Sequence, residues 1–489
     1  MSALRTTVLP ISNVLAAVVM GFSGVMLAPL LLAFAGRDGG QPGFGAAALT
    51  IFVPAVAYWL LTRRFRRELK IRDGVLLVAI VWVLLPALAA IPLLTGIPGL
   101  RFTDAYFEAV SGLTTSGATV LTDLDHLAPS LNLWRHLLHW IGGMGIIVVA
   151  VALLPLLGVG GMQLYKAETP GPMKDSKLTP RIAHTAKALG YVYTGITVAC
   201  IVCLRLAGMN WFDAVCHAFS AIALGGFSTH DASIGYYNSL PIEIVIGVFE
   251  VVAAINFATH FVALRERGLA AYRRDPEAMA VIKVLMLSCV GIALVLTWHG
   301  TYPDFWTALR YASFNVITMA TDCGLTSQNF GQWPLFAPMW MLFLSCIVCS
   351  TGSTGGGIKM IRTLVLMKGS MRELTRILHP SIVMPVRVGN TVIEDRVVIS
   401  VLAFVFLYFM SVVVLVLVLL ASGLDLESSI GSIIACINNA GPGLGVTGPA
   451  ANYAALTDFQ TWVCAAAMLI GRLEVFTLLI VFTPAFWRK

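Results

Sequence analysis

Residues 107–119 read FEAVSGLTTSGAT, an apolar stretch that ends in a small, polar turn at Gly117. An aromatic residue and an acid, Phe102 and Asp104, open this segment, which is about 12 residues long before the turn. Three further segments repeat the layout, and each has a glycine with a small residue six positions before it: 211–227 with Gly226, 302–325 with Gly324, and 424–442 with Gly441. Four copies in one register indicate an internal repeat.

Each short segment is too short to cross a bilayer, which takes about 20 mainly apolar residues, and its length is typical of a re-entrant helix. Irregular backbone at membrane depth is tolerated only where it lines water or is buried in protein. The acid at the start of each segment suits a helix N-terminus. We therefore predict an all-α polytopic membrane protein. Two N-terminal transmembrane helices precede four helix–re-entrant pore loop–helix units around a pseudo-fourfold pore.

Composition supports a lipid environment. Of the 489 residues, 58% are hydrophobic and 12% are charged, whereas soluble chains have about 45–50% and about 25%. Soluble, disordered and fibrous classes are therefore excluded. Ten long apolar segments are predicted to span the membrane: 8–35, 44–62, 73–95, 132–157, 184–207, 240–264, 279–298, 334–350, 396–421 and 459–485.

The basic residues orient these spans. Of the 32 lysines and arginines, 26 lie at Arg5, at the C-terminal end, and in clusters at 63–72, 166–187, 265–283 and 359–396. Basic loops stay in the cytoplasm, so both termini are predicted to be cytoplasmic. The basic residues behind the net charge of +7 therefore set the orientation of the spans, and we expect no nucleic-acid partner.

The acidic residues follow the opposite pattern. Fifteen of the 25 lie in the predicted outer loops or adjoining helices, among them Asp104, Glu108, Asp123, Asp125, Asp213, Asp231, Asp304, Asp425 and Glu427. An excess of acid at a pore mouth raises the local concentration of cations. The alternative is that these are ordinary solvated loop residues.

The repeat divides the chain into five parts. Residues 1–70 form the two N-terminal helices, and 71–165, 166–275, 276–380 and 381–489 form the four pore units.

The turns offer threonine, serine, alanine, asparagine and glycine, and no ring of charged side chains runs through the four copies. The expected ligands are therefore backbone carbonyls, which replace the hydration shell of a monovalent cation. Each glycine can turn its carbonyl to the axis because it has no Cβ, and four helix C-termini add partial negative charge. Asp322 is the exception. It is either a carboxylate ligand or a hydrogen-bonding group behind the filter, and we favour the second because one carboxylate makes no ring.

These motifs carry a family resemblance. Residues 107–119, Phe219–Ser220 through Gly226–Asp231, 438–445 (NNAGPGLG) and 471–477 (GRLEVFT) resemble the TrkH family, in the superfamily that also contains KtrB and the plant HKT transporters. The resemblance covers almost the whole chain, although Ser116 stands where the family's first motif usually has threonine.

The resemblance implies that potassium is held by carbonyls just before each filter glycine, in a filter made of four segments. These are Thr114, Thr115, Ser116 and Gly117; Ala223, Leu224, Gly225 and Gly226; Thr321, Asp322, Cys323 and Gly324; and Asn438, Asn439, Ala440 and Gly441. The second segment is ambiguous by one position because Gly225 and Gly226 are adjacent, and Ser220, six positions upstream, favours Gly226.

A gate is predicted below the filter. Residues 350–359 read STGSTGGGIK, a poor helix former because each glycine costs about 1 kcal/mol, so the helix breaks in the membrane or, alternatively, a surface loop joins two helices. Arg472 is an ionisable residue inside the last span, which is functional by default unless it pairs with Glu474 or reaches an interface. The resemblance implies an obstructing intramembrane loop at 349–359, with Gly352, Gly355, Gly356, Gly357 and Lys359, and places Arg472 in the ion path.

The predicted function is potassium translocation across the bacterial inner membrane. The alternative is a sodium-permeable or proton- or sodium-coupled potassium symporter of the same superfamily, although Gly117 argues for potassium. We find no nucleophile–base pair or metal triad and expect no enzyme activity, and potassium is the transported ion with no other cofactor. The resemblance implies a homodimer gated by a cytosolic nucleotide-binding subunit of the TrkA type.

Overall fold

The structure, a computed structural model, describes residues 8–65, 70–152 and 178–487. These ranges form helices, loops and one two-stranded hairpin. Parts of the basic clusters at 63–72 and 166–187, the boundary between the first two predicted pore units, and both chain ends lie outside the described residues.

Three helices precede the first repeated unit: α1 (Leu9–Val25), α2 (Leu27–Gly36) and α3 (Gln41–Thr62). The first two are separated only by Met26 and together form one span. Asn13 holds α1 against α3 by donating to the Thr62 hydroxyl at 2.8 Å and to the Trp59 carbonyl at 3.1 Å.

Four units follow, each with a long helix, a short helix and a return helix. The first contains α4 (Ile71–Gly96), α5 (Phe102–Leu113) and α6 (Pro129–Ala152). The second contains α7 (Leu178–Leu206), α8 (Trp211–Ala223), α9 (Leu240–Ala254), α10 (Phe257–Glu266) and α11 (Ala270–Arg274). The third contains α12 (Pro276–Trp298), α13 (Phe305–Ala320), α14 (Phe336–Ile347) and α15 (Met360–Leu378). The hairpin, β1 (Val386–Val388) and β2 (Thr391–Ile393), precedes the fourth, with α16 (Asp395–Ala421), α17 (Leu426–Asn438), α18 (Asp458–Arg472), α19 (Val475–Val481) and α20 (Pro484–Trp487).

The predicted short helices are all present at 12 to 16 residues. Asp304 and Asp425 cap α13 and α17 by accepting from the third backbone N–H that follows each, at 2.9 Å. Asp104 and Asp213 lie instead in the first turns of α5 and α8. The acids therefore sit at the positive ends of these helices, as predicted.

The N-terminal helices pack on the first unit through Trp134 of α6. Its ring lies 5.7 Å from that of Phe22 in α1 and 6.0 Å from that of Phe44 in α3. Its indole N–H donates to the Ala89 carbonyl of α4 at 3.0 Å. This aromatic cluster fixes the first unit against α1 and α3.

Six of the described helical segments are long and apolar enough to cross a membrane, and a seventh is a bent pair. The bent pair is α9 and α10, which meet at 97° where the sequence predicts one span over 240–264. The predicted span over 459–485 is likewise broken, between α18 and α19, after Arg472. The predicted span over 334–350 ends at Ile347, because the glycine-rich stretch cannot continue the helix.

Candidate selectivity filter and gate

The four short helices end in the same backbone turn. Thr115, Leu224, Asp322 and Asn439, each two residues before a repeat glycine, all have φ between 52° and 65°. The next residue in each copy donates its N–H to the carbonyl of the small residue six before the glycine, at 2.8–2.9 Å, from Ser116, Gly225, Cys323 and Ala440 to Ser111, Ser220, Thr318 and Ala435. This bond closes the helix C-terminus and explains the sequence register.

The four glycines form a closed ring. All four have positive φ, of 76° at Gly117, 82° at Gly226, 82° at Gly324 and 85° at Gly441. Residues that carry a Cβ rarely adopt this conformation. A Cβ on each of the first three would collide with the carbonyl of Gly225, Cys323 or Ala440 in the next unit, and one on Gly441 would lie 3.0 Å from the Ser116 carbonyl of the first. Each unit thus contacts the next one, and the fourth contacts the first, so the four segments surround one axis.

The ring also gives the register of the second segment. Gly226 takes the ring position with positive φ, whereas Gly225 packs against the His139 ring. Ser116, Gly225, Cys323 and Ala440 are therefore equivalent positions. The preference for Gly226 drawn from Ser220 matches this geometry.

Several side chains of the predicted filter residues are hydrogen-bonded to protein groups. The Thr114 and Thr321 hydroxyls donate to carbonyls of their own helices at 2.7 and 2.8 Å. The Asn438 amide donates to Ser345 at 2.9 Å and accepts from Tyr408 at 2.7 Å, and the Asn439 amide donates to Ser116 at 2.7 Å. The hydroxyls of Thr114 and Thr321 and both polar atoms of the Asn438 amide are therefore engaged within the protein.

Asp322 bonds to the loop beneath the filter. Its Oδ2 accepts from the Gly356 backbone N–H at 2.9 Å, and the residue is fully buried. Of the two alternatives that the sequence leaves open, this geometry corresponds to the hydrogen-bonding group.

The predicted gate loop lies directly under the filter rather than at the surface. The Thr354 hydroxyl donates to the Ile222 carbonyl at 3.0 Å, and the Cys349 thiol contacts the Thr321 carbonyl at 3.3 Å. A Cβ on Gly356 would collide with the Asn438 carbonyl. The loop therefore touches the second, third and fourth segments from below.

The loop ends are fixed by backbone contacts. Gly352 (φ 79°) accepts from the Phe257 N–H at 3.1 Å, at the break between α9 and α10. At the other end, Gly357 (φ 73°) fits closely beside the carbonyls of Ser345 and Cys346, and the Lys359 ammonium donates to the Gly355 carbonyl. Gly355 itself packs against Cys349.

Arg472 ends α18 inside the protein, where it is 3% exposed. Its Nη1 donates to the Thr354 carbonyl of the loop at 2.9 Å. The alternative pairing with Glu474 is not observed, because Glu474 accepts from Arg362 at 2.7 Å. Arg472 thus holds the loop under the filter.

Sequence reasoning missed one contact that recurs in all four units. A polar side chain nine residues before the ring glycine bonds a side chain of the segment that follows this glycine, which we call the outgoing segment. We call this contact the polar staple. The pairs are Glu108–Thr119 (3.0 Å), His217–Ser228 (2.9 Å), Asn315–Ser327 (3.0 Å) and Ser432–Thr447 (2.8 Å). The shared spacing was the available signal, but the four chemically different side chains conceal it.

Replacing Asn315 by alanine removes the acceptor for the Ser327 backbone N–H, which lies at 3.2 Å, and the donor to its hydroxyl. Because an unsatisfied buried group costs about 1–3 kcal/mol, we expect a lower midpoint of thermal unfolding in detergent. Ser400→Ala is the control, since that exposed hydroxyl bonds only its own helix at Arg396. An Asn315→Ala midpoint equal to the control's would contradict the staple.

One cavity on the outer side touches all four ring glycines, and its lining includes Arg135, His230 and Asp231. At its edge, the His230 ring bonds Asp125 of the first unit at 2.5 Å and lowers the pKa of that carboxyl. The contact therefore stabilises the folded loops at neutral pH, where the carboxyl is ionised, and this stabilisation is lost as pH falls through the carboxyl's pKa. Glu108 differs from the predicted outer acids because it is fully buried.

Comparison with known proteins agrees with this architecture. Residues 40–489 match the family model TrkH, described as a cation transport protein. The chain is 45% identical to the Trk system potassium uptake protein TrkH of Salmonella typhimurium, covering 98% of this chain and 99% of the relative. It is 39% identical to TrkG of Escherichia coli over 96% of each chain.

A solved structure gives the same result at the level of the fold. The crystal structure of the potassium transporter TrkH from Vibrio parahaemolyticus superposes with a TM-score of 0.91 at 42% identity, covering 98% of this chain and 99% of the other. The resemblance and the fold class predicted from the sequence are confirmed. The chain is a multi-pass membrane protein that belongs to the TrkH family of cation transport proteins.

Proposed function

We propose that this protein conducts potassium across the bacterial inner membrane through a filter of backbone carbonyls. The observation that carries the proposal is the closed ring of Gly117, Gly226, Gly324 and Gly441, each packed on the backbone of the next unit. A ring of four carbonyls can replace the hydration shell of a large monovalent cation. The relatives' names as potassium uptake proteins support the same ion.

Within this proposal, the carbonyls before each ring glycine bind the ion. They belong to Thr114 and Thr115, Ala223 and Leu224, Thr321 and Asp322, and Asn438 and Asn439, with the remaining predicted filter residues completing the turns. The side chains of Thr114, Thr321 and Asn438 are held by other partners. Four short helices that end at the ring add partial negative charge and disfavour anions.

The gate in this proposal is the loop 349–359, closed by Arg472. The loop contacts three of the four filter segments from below, and Arg472 binds its Thr354 carbonyl. A guanidinium beside the path also repels a permeating cation. Opening therefore requires the loop to leave the Ile222 and Asp322 contacts.

Regulation is proposed to come from outside this chain. The relatives belong to a Trk system, a name that implies several components. We propose a homodimer on which a cytosolic nucleotide-binding subunit of the TrkA type acts from the cytoplasmic side. We further propose that both termini are cytoplasmic, that the chain divides into five parts at 70, 165, 275 and 380, and that it has no enzyme activity.

Rubidium-86 uptake into proteoliposomes tests the function. We expect unlabelled potassium to suppress the uptake at far lower concentrations than sodium or lithium, since a carbonyl cage fits the larger ion. The assay is run with and without a pH gradient, and empty liposomes are the control. Equal suppression by sodium would replace the proposal by a sodium-permeable transporter, and uptake driven by the gradient would replace it by proton-coupled symport.

A further inference from the structure

A buried ion pair lies behind the outer part of the filter. Arg135 of α6 and Glu108 of α5 are 1% and 0% exposed, and Arg135 Nε donates to Glu108 Oε1 at 2.7 Å. The sequence counts Glu108 among the acids of the outer loops and adjoining helices, and the structure buries it in α5. The burial of both charges calls for a structural or functional role, because charged side chains are almost never buried unless paired.

The carboxylate binds the outgoing segment of the first unit. The Thr119 hydroxyl lies 3.0 Å from both Glu108 oxygens, and the Val120 backbone N–H donates to Oε2 at 3.1 Å. Thr119 is two residues after the ring glycine Gly117. Glu108 thus fixes the backbone that leaves the filter.

The guanidinium reaches into the second unit. Arg135 Nη1 donates to the Ser228 carbonyl at 3.3 Å and to the Asn132 side chain at 3.0 Å, and its Cζ lies 4.2 Å from the centre of the Phe227 ring. Phe227 and Ser228 directly follow the ring glycine Gly226. Ser228 is also the partner of the His217 staple at 2.9 Å. Because Arg135 Nη2 also donates to the Thr119 hydroxyl at 3.4 Å, this one side chain contacts the outgoing segments of two neighbouring units.

The other three staples differ in chemistry. His217, Asn315 and Ser432 each bind a hydroxyl of their own unit. The first unit instead has a charge-assisted contact, which is stronger than a neutral one, and a planar guanidinium that holds several acceptors in a fixed fork. The packing of Gly117 on Gly225 and Gly226 links the same two units at the ring.

We propose that Arg135, with Glu108 as its buried counterion, is a specificity-determining positioning residue. It clamps the first outgoing segment to the second and thereby fixes the separation of their filter carbonyls. Because a carbonyl filter discriminates ions through the number and placement of its oxygens, loosening the clamp admits sodium. The inference rests on the proposed potassium function.

The test uses three variants that weaken different arms of the clamp, assayed as purified full-length protein in proteoliposomes. Arg135→Lys keeps the charge but loses the fork to Ser228. Thr119→Val removes the hydroxyl that binds Glu108 and accepts from Arg135 Nη2 and from the Leu121 N–H. Phe227→Leu removes the ring beside the guanidinium. Both variants keep the Arg135 and Glu108 side chains of the ion pair. The readout is the ratio of sodium to potassium concentration that halves rubidium-86 uptake. We expect this ratio to fall about tenfold in each variant, a difference of about 1.4 kcal/mol, while uptake itself persists.

Arg310→Lys is the matched control. Arg310 pairs with Glu243 at 2.7 Å between α13 and α9 and donates to the Asn238 side chain at 3.2 Å, next to the start of α9 rather than beside a ring glycine. The loss of its planar guanidinium should therefore leave the ratio unchanged. If Arg135→Lys does not fold, Thr119→Val and Phe227→Leu decide. A wild-type ratio in the folded variants overturns the clamp. A wild-type protein without potassium preference overturns the proposed function instead.

Discussion

Gly226→Ala is expected to reduce rubidium-86 uptake in proteoliposomes about 100-fold, the equivalent of about 2.8 kcal/mol. The residue has φ of 82°, where an L-residue is disfavoured by about 1–2 kcal/mol. The added Cβ would also collide with the Cys323 carbonyl of the next unit. That carbonyl cannot move without displacing the third filter segment, so the ring opens.

Gly291→Ala is the matched control for this prediction. Gly291 lies within α12, and a Cβ there meets nothing within 4 Å. It should therefore transport as well as the wild type. If Gly226→Ala also transports normally at equal protein levels, the second segment does not take part in a closed ring.

Arg472→Ala is expected to raise rubidium-86 flux about tenfold in proteoliposomes that contain no regulatory subunit, a change of about 1.4 kcal/mol in the closed state. The substitution removes the 2.9 Å bond to the Thr354 carbonyl. It also removes a buried positive charge, which would oppose a permeating cation on the proposed path. Both losses favour an open, conducting loop.

Arg205→Ala is the control for the gate prediction. Arg205 lies at the outer end of α7 and donates to the Met209 carbonyl at 3.3 Å, so it has no contact with the loop. Flux through the Arg205→Ala variant should equal that of the wild type. Unchanged or lower flux through Arg472→Ala would count against the gate.

The repeated unit could be predicted from the sequence because its signal is local. Apolar periodicity, an acid at each helix start and a glycine at each turn are written in consecutive residues, and they identified Gly117, Gly324 and Gly441 directly. Gly226 was separable from Gly225 only through Ser220. The reason for that spacing, the bond from the Gly225 N–H to the Ser220 carbonyl at 2.8 Å, is visible only in three dimensions.

The features that the sequence does not predict come from contacts between distant residues. The burial of Glu108 could not be predicted, because hydropathy does not reveal its partner Arg135, 27 residues away. The break between α9 and α10 arises where the Phe257 N–H donates to Gly352 of the gate loop at 3.1 Å. Composition alone therefore read 240–264 as one continuous span.

We propose that the four filter segments share one axis and bind the ion through backbone carbonyls. Anomalous X-ray scattering from crystals grown in rubidium tests it directly. We predict a peak on the axis, ringed by carbonyl oxygens of Thr114, Ala223, Thr321 and Asn438 or of the residues that follow them, and removed by exchange into lithium. Rubidium bound only at side-chain carboxylates away from the glycine ring would contradict the account.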